Sequence, residues 1–294
     1  MPVLFNRSKG KTEQEVSFHQ DGLSFLYHNF FGKAITQSIL IRHFISVWYG
    51  RRMKKPASKK RISEFIEQYA VDVSQIKFPL NTYTSFNDFF IRELKEGARS
   101  VDQNPDHLVS PADARLLVFD LSEENSLPIK GYWYSLYQLL KDKSLEQEYA
   151  NGWCYVYRLA PSDYHRFHYI DDGSHEKVKR IKGVLNSVNP IALSSVKHLL
   201  GRNYRELTLL RTKNFGDVIQ LEVGALLVGK IIQKHRDKFE FRRGEEKGWF
   251  EYGGSTIIQL FHKDIIIPDA DILEFSRKKI ETVVKMGEKT GLKK

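Results

Sequence analysis

Four residues in three short stretches carry side chains that could do chemistry together. Asp113 closes the Pro-containing turn of "SPADAR" (110–115), His165 and His168 bracket Arg166 in "DYHRFHYIDDG" (163–173), and Ser255 follows a glycine pair in "GGST" (253–256). A serine hydroxyl is a poor nucleophile until a positioned base takes its proton, and an acid beside that base fixes its tautomer and supports its charge. An acid, two candidate bases and a serine have the membership of such a relay. Taken singly, each has a plainer reading: Asp113 and Ser255 as turn formers, either histidine as a structural side chain. No HExxH pattern or acidic pair at ligand spacing accompanies the histidines, so a zinc centre is not expected. There is no GxSxG elbow, which argues against the common α/β-hydrolase. Two glycines before Ser255 leave the Gly254 carbonyl sterically open and permit backbone angles that other residues refuse. The serine's target could therefore be its own chain.

The elements that must position these residues differ along the sequence. Beyond Gly97 short alternating runs are cut by turns ("HLVSPADARLLVFDL", "GWCYVYRLAPSDYHRFHYIDDG", "DVIQLEVGALLVGKIIQK", "TIIQLF"), the texture of strands in a mainly antiparallel β core. Residues 134–142 and 190–201 read as helical insertions. Before Gly97 the spacing predicts helices over 23–50, 61–70 and 85–94, the last opening with Ser85 and Asp88 at capping-box spacing. The fold class expected is α+β: a helical N-terminal portion, residues 1–97, on a β-rich catalytic core, residues 98–294.

Composition narrows the partners. At 294 residues and 41% apolar content the chain can bury a full core. The lone Cys154 excludes an intramolecular disulfide and reads as a small buried hydrophobe. The first residues lack the features of a secretory signal, and no run reaches membrane-spanning length. A net charge of +10 points to an anionic partner. Much of it is concentrated in "RRMKKPASKKR" (51–61), directly after the aromatic, helix-spaced segment 23–50. That pair reads either as a core-packed helix with a solvated loop, or as an amphipathic element lying on an anionic lipid surface. Aromatic-interleaved RNA-binding signatures are missing, so nucleic acid is not expected.

The motifs, taken in order, resemble the phosphatidylserine decarboxylase family, in its bacterial branch with GGST at the cleavage motif. "FNRSKGKTEQEV", "YTSFNDFFIRELKEGAR", "SPADARL", "LAPSDYHRFHY", "GVLNSVNPIAL", "VGALLVGKI", "KGWFEYGGSTIIQLF" and "ETVVKMGEKTG" carry the likeness over nearly the whole chain. It departs from the family at Ala114, where Gly is usual, and at "YIDDG", where a Pro-containing turn is common.

The resemblance implies a pyruvoyl-dependent carboxy-lyase made as a self-cleaving proenzyme. His168, oriented by Asp113, deprotonates Ser255, which attacks the Gly254 carbonyl. Residue 255 becomes a pyruvoyl group heading a short chain, 255–294, that stays with the long chain, 1–254, as a heterodimer. That group forms a Schiff base with phosphatidylserine and draws in electrons as CO2 leaves. His165 is the candidate proton donor, and phosphatidylethanolamine is released. The resemblance also implies a barrel-sandwich-like core and a peripheral position on the cell membrane, at its cytoplasmic face. A hydrolase acting on an external ester, which would keep an intact chain, a non-catalytic membrane- or nucleic-acid-binding protein whose main asset is the basic cluster, and a pyruvoyl enzyme for a soluble amino acid are the rivals.

Overall fold

The computed structural model describes residues 3–15, 43–122, 126–129, 132–186, 199–225, 230–253 and 255–294. Its centre is an 11-stranded sheet. From one edge to the other the path runs Phe239–Phe241, Gly173–His175, Arg205–Thr212, Gly216–Val223, Ser255–Phe261, Trp153–Leu159, Ala114–Asp120, Glu281–Val284, Val3–Asn6 and Lys11–Gln14, with Lys179–Ile181 paired off this path to Arg205–Thr212. Neighbours on the path are antiparallel except Val3–Asn6, which lies parallel to Glu281–Val284. The α+β class is as expected, and the path is open, without closure into a barrel among the described residues.

The absence of a regular polar–apolar alternation in "STIIQLF" has a physical reason. Every residue of Ser255–Phe261 is buried, as expected of a strand covered on both faces. Alternation then sends Ile257 and Phe261 into one core with Tyr155, Tyr157, Leu116 and Phe167, and Ile258 and Leu260 into another with Cys154, Val156, Ile219 and Leu221. The Leu136–Leu140 helix caps the second core with Leu136, Leu139 and Leu140. Cys154 is the buried hydrophobe its context suggested, its thiol pushed up by burial.

Two three-stranded sheets accompany the main one, besides the hairpin of Ser126–Ile129 and Tyr132–Ser135. Ile231–Gln233, Glu246–Phe250 and Arg166–His168 form the first, and Ile266–Pro268, Lys289–Lys293 and His107–Val109 the second. The predicted helix at 61–70 is found at Arg61–Tyr69, with Ile62 and Phe65 buried as the spacing requires. The one at 85–94 is shorter, Phe86–Phe90, capped by Ser85 accepting from the Asp88 N–H at 3.2 Å. Met53, Ile62, Phe65, Phe86, Phe89 and Phe90 form a third core. Of the helix expected over 23–50, residues 23–42 lie outside the described residues; His43–Met53 is helical. The helical portion does not begin at residue 1, because Val3–Asn6 and Lys11–Gln14 are strands of the main sheet.

Candidate active site

Ser255 opens its strand opposite Leu159, the last residue of Trp153–Leu159. From Leu159 the chain turns, with the Asp163 N–H donating to the Ala160 carbonyl at 2.9 Å, and enters Arg166–His168. That strand pairs with Glu246–Phe250, which leads into the GGST segment, and the Phe250 N–H donates to the His165 carbonyl at 3.0 Å. The histidine loop and the serine thus occupy the same end of the sheet.

Both histidines are anchored through the same nitrogen. His165 is fully buried, its Nδ1 2.9 Å from the Asp163 carbonyl and its ring 4.0 Å from that of Phe90. His168 places Nδ1 3.0 Å from the Gly244 carbonyl and stacks on Tyr164. A carbonyl only accepts, so each Nδ1 carries the proton and each neutral ring presents a bare lone pair at Nε2. Neither Nε2 has a partner among the described residues. Burial is the main cause that pushes His165 down to about 4, opposed by the Asp163 charge and carbonyl and assisted by Arg92 and Arg115. Burial also lowers His168, against the Gly244 carbonyl, Glu246 and Asp113. Gly244 has a positive φ of 76°, and a Cβ there would meet Val101 at 2.9 Å, so glycine is required where the chain offers that carbonyl.

Ser255 is fully buried and its Oγ has no partner among the described residues. An unpaired buried polar atom costs about 1–3 kcal/mol, so three such atoms on elements that converge call for a functional explanation. Gly253 has φ 135°, a region other residues rarely enter. Gly254 lies outside the described residues. The helical portion grips the segment before the serine: the Tyr252 N–H donates to Asn87 Oδ1 at 3.1 Å, its ring sits 5.1 Å from those of Phe86 and Phe90, and Lys54 pairs with Glu251 at 2.6 Å.

Asp113 is buried nearby but does not hold His168 directly. Its oxygens accept from Arg99 Nε at 2.8 Å and Nη2 at 2.5 Å, from Lys285 Nζ at 3.0 Å and from the Met286 N–H at 3.0 Å. The direct acid–histidine contact expected of a relay is therefore not made, because two cations and an amide occupy the carboxylate while the Gly244 carbonyl takes the imidazole N–H. Burial alone would raise the Asp113 carboxyl; the Arg99 hydrogen bonds, the Lys285 and Arg99 charges and the Met286 amide outweigh it and hold it at about 2. The aspartate loop still flanks the histidine, since the His168 N–H donates to the Pro111 carbonyl at 2.9 Å. Arg99, Lys285 and Gly244 were not singled out in the sequence. Their roles depend on contacts between distant segments, and only Gly244, in a turn, carried a local signal.

With this geometry established, similarity to known proteins can be placed on it. A sequence model described as phosphatidylserine decarboxylase matches residues 86–292. A phosphatidylserine decarboxylase proenzyme of Fusobacterium nucleatum is 42% identical over 289 residues, covering 98% of this chain and 96% of the relative. A phosphatidylserine decarboxylase proenzyme 2 of Clostridium acetobutylicum is 42% identical, covering 98% of both chains. The proenzyme of Clostridium beijerinckii is 40% identical over 294 residues, covering 100% of this chain and 99% of its own. Matches of this extent, over the segments that bring the two histidines and the buried serine together, mean that the chain belongs to the phosphatidylserine decarboxylase family.

Proposed function

We propose that the protein is a self-processing decarboxylase of phosphatidylserine that works at a lipid surface. The observation that carries this reading is the set of buried, unpartnered atoms Ser255 Oγ, His165 Nε2 and His168 Nε2 at one end of the sheet. The name proenzyme, borne by the relatives, fits a chain whose nucleophile is built into a core strand.

For self-cleavage, His168 is the base. Its Nδ1–H is committed to Gly244, and burial keeps the ring neutral near pH 7, so Nε2 is free to take the Ser255 proton. Oγ bonds to the Gly254 carbonyl carbon, the bond to the nitrogen of residue 255 breaks, and that nitrogen takes the proton, leaving an ester. Loss of the Cα proton of residue 255 then expels the Gly254 carboxylate; addition of water and departure of ammonia leave a pyruvoyl group on residues 255–294. The residues present fit a group made in this way, because the serine is buried and preceded by the permissive Gly253.

A pyruvoyl ketone supplies the electron sink that loss of CO2 requires. The protein's part is to hold, exclude water and return a proton. Phe90 and Tyr252 cover the site from the helical side. His165, anchored through Nδ1, is the candidate to take up at Nε2 the proton that the substrate's ammonium gives up and to return it to the carbon that has lost its carboxylate. Asp113 ties the loop beside His168 to residues 285–286 of the short chain.

The lipid surface is read from the other side of the helical portion. Arg51, Arg52, Lys55, Lys60 and Arg61 line a concavity of about 540 Å³ beside Trp48, whose side chain is 58% exposed. Cations with an exposed indole suit an anionic headgroup layer, each charge contributing about 1 kcal/mol near the surface. Among the described residues no helix is long and apolar enough to cross a membrane, and we place the protein peripherally, at the cytoplasmic face.

Intact-mass measurement of purified protein tests the reading. Two fragments meeting at Gly254–Ser255 are expected, the shorter one blocked at its N-terminus, together with release of CO2 from phosphatidylserine. Ser255→Ala should give one uncut, inactive chain; an active, unbroken parent chain would overturn the proposal.

A further inference from the structure

Residues 3–15 form an arm on the short-chain side of the main sheet. Val3–Asn6 pairs with Glu281–Val284, and Phe5 stacks on Phe275 at 3.9 Å. Arg7 donates to Asp271 Oδ2 at 2.7 Å, Asp269 Oδ2 at 3.0 Å, Glu288 Oε1 at 3.0 Å and the Lys289 carbonyl at 2.7 Å. All of these partners lie within residues 255–294.

Glu15 of this arm is buried. It lies against two arginines, Arg115 and Arg158, that face each other across neighbouring strands. Like charges directly opposite on a sheet repel. Glu15 lies between them, hydrogen-bonded through Oε2 to Arg158 Nη2 at 2.8 Å and ion-paired through Oε1 with Arg115 Nε at 2.9 Å, a contact without hydrogen-bond geometry. Arg158 has a second carboxylate in Glu281, at 2.9 and 2.6 Å. Arg115 has its second in Asp163, which it grips through Nη1. Asp163 also accepts the Ala160 N–H at 2.7 Å, and its carbonyl receives His165 Nδ1. An unbroken string of polar contacts therefore runs from Glu15 through Arg115 and Asp163 to the imidazole.

We propose that Glu15 is a positioning residue: the N-terminal arm fixes Arg115 on Asp163, and through Asp163 sets the orientation of the His165 ring for proton delivery. This rests on the reading of His165 as the proton donor. Without the Glu15 charge, Arg115 faces Arg158 with only Asp163 to hold it, and relief of that repulsion moves the turn carrying the acceptor of His165 Nδ1. The charged groups acting on His165 come from three sides: Asp163 in its own loop, Arg115 in the sheet, and Arg92, whose Nη2 lies 2.8 Å from the Ser162 carbonyl, in the helical portion.

The test uses full-length, self-processed protein and follows kcat, KM and the pH dependence of kcat on phosphatidylserine in detergent micelles. His165→Asn identifies the limb of the profile that belongs to His165. Glu15→Gln should still cleave itself to completion, keep its KM, and lose about tenfold to a hundredfold in kcat, the scale of a small misplacement. Removal of a carboxylate disfavours the imidazolium, so the His165 limb should move to lower pH. Glu281→Gln, which breaks a comparable buried pair on Arg158 but not on Arg115, should lose thermal stability and leave the limb in place. Glu13→Gln, in the same arm, should match the parent. A parent-like kcat and limb in Glu15→Gln, or an equal limb shift in Glu281→Gln, overturns the proposal while the role of His165 stands. Parent activity in His165→Asn overturns that role and the proposal with it. If Glu15→Gln does not accumulate, Glu15→Asp replaces it, withdrawing the charge by one methylene; a reduced kcat at constant KM supports the proposal and an unchanged kcat overturns it.

Discussion

Ser255 pairs directly with Leu159 on the neighbouring strand, so the proposed nucleophile and the root of the two-histidine loop are fixed by one backbone register. A slip of one residue would turn Ser255 to the opposite face of the sheet. The buried run that follows it, Thr256 to Phe261, pins that register by filling both cores.

The two histidines should separate by function. His168→Gln is expected to stall self-cleavage, leaving a single chain on a denaturing gel after hours at 25 °C. His165→Asn should cut normally yet lose most decarboxylation, by about 10²–10⁴-fold, the usual contribution of a general acid. Timed mass spectrometry and CO2 release check both, and an uncut His165→Asn would reverse the assignment.

Acid stability should fall in two windows. His165 is held at about 4, below its ordinary 6.5, so the unfolded chain binds its proton first. Stability is lost as pH drops from 6.5 towards 4, by about 3 kcal/mol in total, and His165→Asn should lack this component in urea titrations. Asp113, held at about 2 against 3.8, contributes stability above pH 3.8 that disappears as pH falls towards 2. That separation corresponds to about 2 kcal/mol. Asp113→Asn should be less stable than the parent at pH 6, with the gap narrowing in the lower window.

Arg7 should matter most after the chain is cut. Arg7→Ala removes charge-assisted bonds to Asp269, Asp271 and Glu288, and with them about 2 kcal/mol of stability. In the processed protein the two fragments should part at lower urea than in the parent, as size-exclusion chromatography would register.

Reversal of Arg51, Arg52 and Lys60 to glutamate should weaken binding to anionic vesicles. Removing three attractive charges alone is worth about 3 kcal/mol, or roughly 100-fold in partitioning at low salt. Binding to zwitterionic vesicles should hardly change. Sedimentation with vesicles of both compositions measures the contrast.

Much of this was legible from residue types. The mostly apolar strand after Ser255, the lone buried Cys154 and the helix carrying Ile62 and Phe65 follow from period and composition, and each lies where its pattern placed it. The two histidines and the serine were visible because their types are chemically conspicuous. What sequence could not convey is partner choice at long range. Asp113 looked like the acid of a relay, yet Arg99 and Lys285, 14 and 172 residues away, claim its oxygens. The same limit hid the strand Val3–Asn6, which forms by pairing with Glu281–Val284 near the other end of the chain, and the strand Lys11–Gln14, which pairs with Val3–Asn6 in turn.

The main sheet places Glu281–Val284 three strands away from Ser255–Phe261, with Trp153–Leu159 and Ala114–Asp120 between them. The proposed scission after residue 254 would therefore yield pieces woven through each other, and neither could withdraw without unpairing interior strands. Folding must come first and cutting second: halves synthesised separately would have to thread a finished sheet, and mixing them should restore no activity.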